Sequence, residues 1–149
     1  MFRWFSKLLI LSASLFLSSN SMGSFSVEEA VQKRIEIFKA SQKNIKKLSK
    51  FIRSGDISAS GYLVDFHVKW SREMLVLFPA GSEASTSNGS DASLEIWRDT
   101  AGFEKQVAQY NLSSTALREA LKSRNTFEIN KNYEGLVESC KSCHKQFRN

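Results

Sequence analysis

The sequence predicts an all-α chain folded as an antiparallel up-down-up-down four-helix bundle. In four segments, apolar residues recur at the three- and four-residue spacing of a helix face. A single Pro and seven Gly among 149 residues leave room for long uninterrupted helices. Most connections are short, which favours antiparallel neighbours. The one Asn-Gly pair, Asn88-Gly89, lies in a polar stretch and flanks no strand pattern. The length suits one domain able to bury most of its apolar surface without staples.

Each helix has its own signals. Ser26 followed by Glu29 is a capping box, and Val31, Ile35, Phe38, Ile45, Leu48 and Ile52 continue it as one apolar stripe until Ser54-Gly55-Asp56 stops it. A second helix is predicted from about Ser60 to Phe78, with Leu63, Phe66, Trp70, Met74 and Leu77 inward and Pro79 and Gly81 beyond its end. Residues Pro79 to Ser93, rich in Ser, Gly, Ala and Thr, read as a mobile surface loop that buries little. A third helix is predicted over Leu94 to Lys122 through Trp97, Phe103, Val107, Tyr110, Leu117 and Leu121, with Ser113-Ser114 a point of fraying or bending. The fourth, Phe127 to Phe147, places Tyr133, Leu136, Val137, Cys140, His144 and Phe147 on one side.

The first residues stand apart from this pattern. Arg3 and Lys7 precede a short apolar core, Leu8 to Leu17, and then the small and polar Ser18 to Ser24. That order is a secretory signal peptide, residues 1–23, ahead of a domain at 24–149. The rival, an uncleaved anchor, needs a span of about 20 apolar residues. Cleavage after Ser21 lowers the formal charge from +6 to +4. Lys43, Lys46, Lys47 and Lys50 lie along the first helix as a solvated face, and no nucleic-acid motif accompanies them. The expectations are an exported, periplasmic protein, no nucleic-acid partner, and no membrane association after cleavage.

The chemistry concentrates in Cys140-Lys141-Ser142-Cys143-His144. Cys-x-x-Cys-His is the signature of covalent haem attachment. Helix positions i, i+3 and i+4 share a face, so both thiols reach one porphyrin's vinyl groups and the next residue brings a neutral imidazole under the iron. A redox dithiol uses the same spacing, but beside a βαβ pattern and with thiols activated at a helix N-terminus. A zinc site needs about four ligands, and His67 is the one other His in the chain. A structural disulfide leaves His144 unexplained. The expectation is one haem c, iron-containing, attached through Cys140 and Cys143, with His144 as its metal ligand on the C-terminal helix.

Four segments extend this to a family. Glu29-Ala30-Val31-Gln32-Lys33-Arg34, Leu77-Phe78-Pro79-Ala80-Gly81-Ser82, Glu95-Ile96-Trp97-Arg98-Asp99 with Phe103, and Cys140 to His144 continued by Phe147-Arg148 together resemble the class II c-type cytochromes, including cytochrome c′. The resemblance runs from about Val27 to Arg148. It implies a haem motif at the C-terminal end of a four-helix bundle, an Arg34 beside a haem propionate, and an Arg148 adding fixed positive charge on the iron's proximal side. The plain alternative for Arg34 is a solvated helix cation. In low-spin members of the family a Met four residues after the helix-one Arg binds the iron, whereas in cytochromes c′ that position is apolar. Here it is Phe38, which cannot ligate and would cap the distal face.

The resemblance therefore implies a five-coordinate, high-spin iron that binds NO or CO, transfers single electrons, or both. No catalytic triad, acid/base pair or nucleotide loop is visible, so no enzyme is expected. A six-coordinate carrier would need His67 or Met74 to reach the iron; Met22 and Lys39 are weaker candidates. The alternative from another class is a haem-free helical protein binding a metal or a partner. The resemblance also implies a homodimer through the first two helices, and leaves the redox partner unnamed.

Overall fold

The structure is a computed structural model that describes residues 25–149; the expected signal peptide lies outside them. Its helices are α1 (Val27–Ser54), α2 (Ile57–Glu73), a 3-10 turn (Leu75–Leu77), α3 (Glu95–Arg98), α4 (Thr100–Ser123) and α5 (Thr126–Phe147). The four long helices form the expected bundle, with α1 against α2, α2 against α4 and α4 against α5. The ring closes through α1 and α5, which meet over a much shorter stretch than α4 and α5 do. Among the described residues, no helix is long and apolar enough to cross a membrane.

Helix ends follow local chemistry. Ser26 and Glu29 form the capping box, each accepting from the other's backbone N–H, at 3.2 and 2.8 Å. Gly55, at φ 74°, takes the left-handed position that closes α1. Its neighbour Asp56 then accepts from Ala59 N and starts α2 at once. Asp56 is thus a start signal as well as a stop, and the second helix begins three residues before the predicted Ser60. That helix also ends earlier than predicted, at Glu73, tightening into the 3-10 turn before Pro79. The predicted third helix is two helices, because the Asp99 side chain caps α4 by accepting from Gly102 N at 2.9 Å. Ser113-Ser114 neither frays nor breaks α4; Ser114 Oγ donates to Tyr110 O, one turn back.

The core is arranged in layers across the bundle. At one end Phe78, Phe103 and Phe147 meet edge to face, with centroids 4.9 and 5.4 Å apart. One layer inward, Phe38 of α1 meets Trp70 of α2 at 5.4 Å and His144 of α5 at 6.0 Å. The next layer is polar. His67 is fully buried, its Nδ1 2.6 Å from the Tyr110 hydroxyl. Beyond it Leu48, Leu117 and Leu136 close an apolar core with no exposed surface.

The segment from Pro79 to Ser93 departs from its expectation. Ser82, Ser90 and Ala92 are buried. Arg34 of α1 donates to Ser82 and Ser90, and an antiparallel bridge joins Ala92 to Arg148 at the end of α5. Arg34 is 2% exposed, so the solvated-cation alternative fails.

Two stability predictions follow from these contacts. Burial lowers His67 from 6.5 to about 4, so below pH 6.5 the unfolded chain takes up a proton that the folded chain refuses. The stability owed to a neutral His67 is complete above that pH and is lost between pH 6.5 and 4, by an amount on the order of 3 kcal/mol. In denaturant titrations, His67→Phe will flatten the pH dependence between pH 6.5 and 5; an unchanged slope contradicts the assignment. A Cβ on Gly102 would lie 2.1 Å from Asp99 Oδ2 and displace the cap. Gly102→Ala will therefore cost about 1 kcal/mol despite the better helix propensity of Ala, measured by thermal melting.

Candidate functional site

The site is built where α5 faces α1. Cys140, Cys143 and His144 rise along α5 at one-turn spacing. Both cysteines are free, half-buried and packed against the core. Opposite them, Phe38 of α1 turns its ring toward His144, with an interplanar angle of 70°. Farther along the seam the Tyr133 hydroxyl reaches toward Ile45 O at 3.5 Å. Phe38, Ile45, Tyr133, Cys140 and Cys143 are all only partly buried and pack against the core.

Several features test whether a haem fits these residues. A seam of half-exposed apolar side chains, with α1 and α5 in short contact only, suits a flat apolar macrocycle inserted edge-on. Trp70, whose ring meets Phe38, has a buried Nε1–H with no acceptor among the described residues, and a polar edge of the macrocycle would satisfy it. His144 is exposed at the bundle surface, and partial desolvation of its ring, then the charge on Arg148, lowers its pKa toward the neutral imidazole that an iron requires. Burial raises both thiols, and Cys140 helps push Cys143 up to about 11. Thiols held protonated at neutral pH are the reverse of what a redox dithiol needs. Among the described residues, no three His, Cys, Asp or Glu side chains are grouped to hold a metal ion. The residues fit a haem carried on Cys140 and Cys143 and ligated by His144.

The other candidates fall at different distances from this seam. Arg34 stands one turn before Phe38, its guanidinium 4.6 Å over the Phe78 ring. Its hydrogen bonds go to Leu77 O, Ser82 and Ser90. Arg148, one turn beyond His144, pairs with Asp91 at 2.7 Å, so its positive charge is shared with a carboxylate. His67 packs its ring against Phe66 and Tyr110 and spends Nδ1 on the tyrosine; its Nε2 has no partner among the described residues. Met74 is core, 5% exposed. Asp91 and Ser90 are not signalled in the sequence, and Ser82 stands there only as the end of a family segment, since all three join the site through long-range pairing inside a stretch of loop composition.

Comparison with known proteins gives the family. A family model described as Cytochrome C' matches residues 29–148. A cytochrome c′ of Rhodopseudomonas palustris is 34% identical over 79 residues, or 52% of this chain and 51% of the relative; the chain thus spans about half the length of that curated relative. In fold, the chain is similar to the crystal structure of cytochrome c′ from Thermochromatium tepidum, at TM-score 0.77 and 15% identity over 85% of this chain and 98% of that one. It is also similar to a leucine-to-alanine variant of cytochrome c prime from Alcaligenes xylosoxidans solved as its nitric oxide complex, at TM-score 0.73 and 21% identity over 83% and 96%. With its motif, its bundle and a match over most of its length, the chain belongs to the cytochrome c′ family, which binds a covalently attached haem c.

Proposed function

We propose that this protein is an exported, periplasmic haem c protein whose iron is five-coordinate and high-spin, and that it binds NO or CO, exchanges single electrons, or does both, without catalysing a reaction of its own. The observation that carries the reading is the ring of Phe38 set against the ring of His144, centroids 6.0 Å apart. Bound haem supplies an iron that changes oxidation state by one electron and takes small diatomic ligands when a coordination position is open.

The chain's residues define the rest. His144 offers one nitrogen on the α5 side. On the α1 side Phe38 presents only carbon and hydrogen, so it fills space without ligating. Trp70 and Phe78 hold that ring from two sides, at 5.4 and 6.5 Å between centroids. This wall favours small neutral ligands over water and anions. Met74 supports the open-site reading by its packing in the core. The nitric oxide complex of the Alcaligenes xylosoxidans relative is consistent with gas binding here. The charged start and apolar run of residues 1–23 support export.

Absorption spectra of the ferrous holoprotein before and after CO test this reading. The expected result is a broad high-spin Soret band that shifts on adding CO. A sharp low-spin spectrum indifferent to CO would identify a sixth protein ligand and leave electron transfer through a closed iron as the function. Phe38→Ala, which widens the same face, will raise the CO association rate about tenfold or more without changing the spin state of the ferrous protein.

A further inference from the structure

Arg34 is a buried cation with no carboxylate paired to it among the described residues. It is 2% exposed, and all four of its hydrogen bonds go to neutral groups. Nη1 donates to Leu77 O at 2.9 Å and Ser82 Oγ at 2.7 Å; Nη2 donates to Ser82 O and, at 2.7 Å, to Ser90 Oγ. Burial lowers its pKa only to about 10, so the guanidinium is charged at neutral pH. A charge desolvated this far is tolerated only when its donors are matched. The acceptors are themselves held: Ser82 Oγ donates to Pro79 O, and Ser90 Oγ accepts from Ala92 N.

The same segment is tied at its other end to the haem helix. Ser93 N donates to Phe147 O at 3.0 Å, Asn149 N donates to Asp91 O at 2.9 Å, and Asp91 pairs with Arg148. Residues 79–93 therefore reach from α1, one turn from Phe38, to the end of α5, one turn beyond His144. Phe78, which leads into the segment, lies under the Arg34 guanidinium and against the Phe38 ring.

We propose that Arg34 is a positioning residue that latches the 79–93 segment to α1 and, through Phe78, fixes the Phe38 ring as the distal wall. This differs from the propionate contact that the family resemblance implies, and it assigns the work to Ser82 and Ser90. Its effect on gas entry rests on the open-iron reading above; the latch itself does not.

The test compares holoprotein carrying Ser82→Ala with Ser90→Ala, and separately Arg34→Gln, with the unmodified chain. Amide hydrogen exchange of residues 79–93 and CO association are read on the same preparations. Losing hydrogen bonds to a charged donor will speed exchange in the segment by about tenfold or more in the serine variant. The same variant will bind CO severalfold faster, and this gain will vanish in a Phe38→Ala background, which a general loss of stability would not produce. Arg34→Lys will not restore slow exchange, since one ammonium cannot serve acceptors arranged for a planar fork. If the serine variant leaves exchange and CO binding unchanged while Arg34→Gln moves the reduction potential, the latch is overturned and Arg34 acts on the haem edge. If unmodified protein binds no CO, the open-iron reading fails, and exchange in the segment alone decides the latch.

Discussion

The requirement that α5 carry two thiols and an imidazole on one face, opposite Phe38 of α1, organises this bundle. Cys140, Cys143 and His144 commit the inner side of α5 to one flat group. The α1–α5 seam is short, and its apolar side chains are half-exposed. The aromatic layer of Phe38, Trp70, Phe78 and Phe103 then serves two ends at once. It packs the end of the bundle, and it fixes what stands opposite His144.

The buried polar groups flank that layer. On one side Arg34 binds a chain segment through neutral acceptors; on the other, His67 Nδ1 pairs with the Tyr110 hydroxyl inside the core. Both are costly to bury and tolerate only one arrangement, so they add definition to a core that aromatic packing alone would leave more permissive. Their charge states differ at neutral pH: Arg34 stays a cation, and burial keeps His67 neutral. A buried charge near the site is therefore contributed by the segment-binding residue and not by the histidine one layer inward. On the proximal side, Asp91 offsets Arg148, so that charge is softened.

The sequence was most legible where function or capping is encoded locally. The haem motif occupies five consecutive residues, and the capping box at Ser26 and Glu29 and the apolar stripes are local too. Errors arose where one residue ends one element and begins another. Asp56 and Asp99 act through a side chain on an N–H three residues ahead, so both made helix boundaries that hydrophobic spacing did not reveal. The segment after Pro79 reads as loop by composition, yet its serines are buried against an arginine 48 and 56 residues earlier. Serine carries no hydrophobic period, so nothing in its neighbourhood announces that pairing. His67 is similar: its partner Tyr110 lies 43 residues on, and only the assembled bundle shows the pair.

Residue 38 is the narrowest point, because the proposed open position on the iron depends on its being Phe. Electron paramagnetic resonance of the ferric holoprotein, compared with its Phe38→Met variant, tests that point most directly. The account predicts an axial high-spin signal for the unmodified protein and conversion to a low-spin signal when a thioether stands at position 38. A low-spin signal from the unmodified protein would contradict it, since another side chain would then already hold the position that Phe38 is held to leave open.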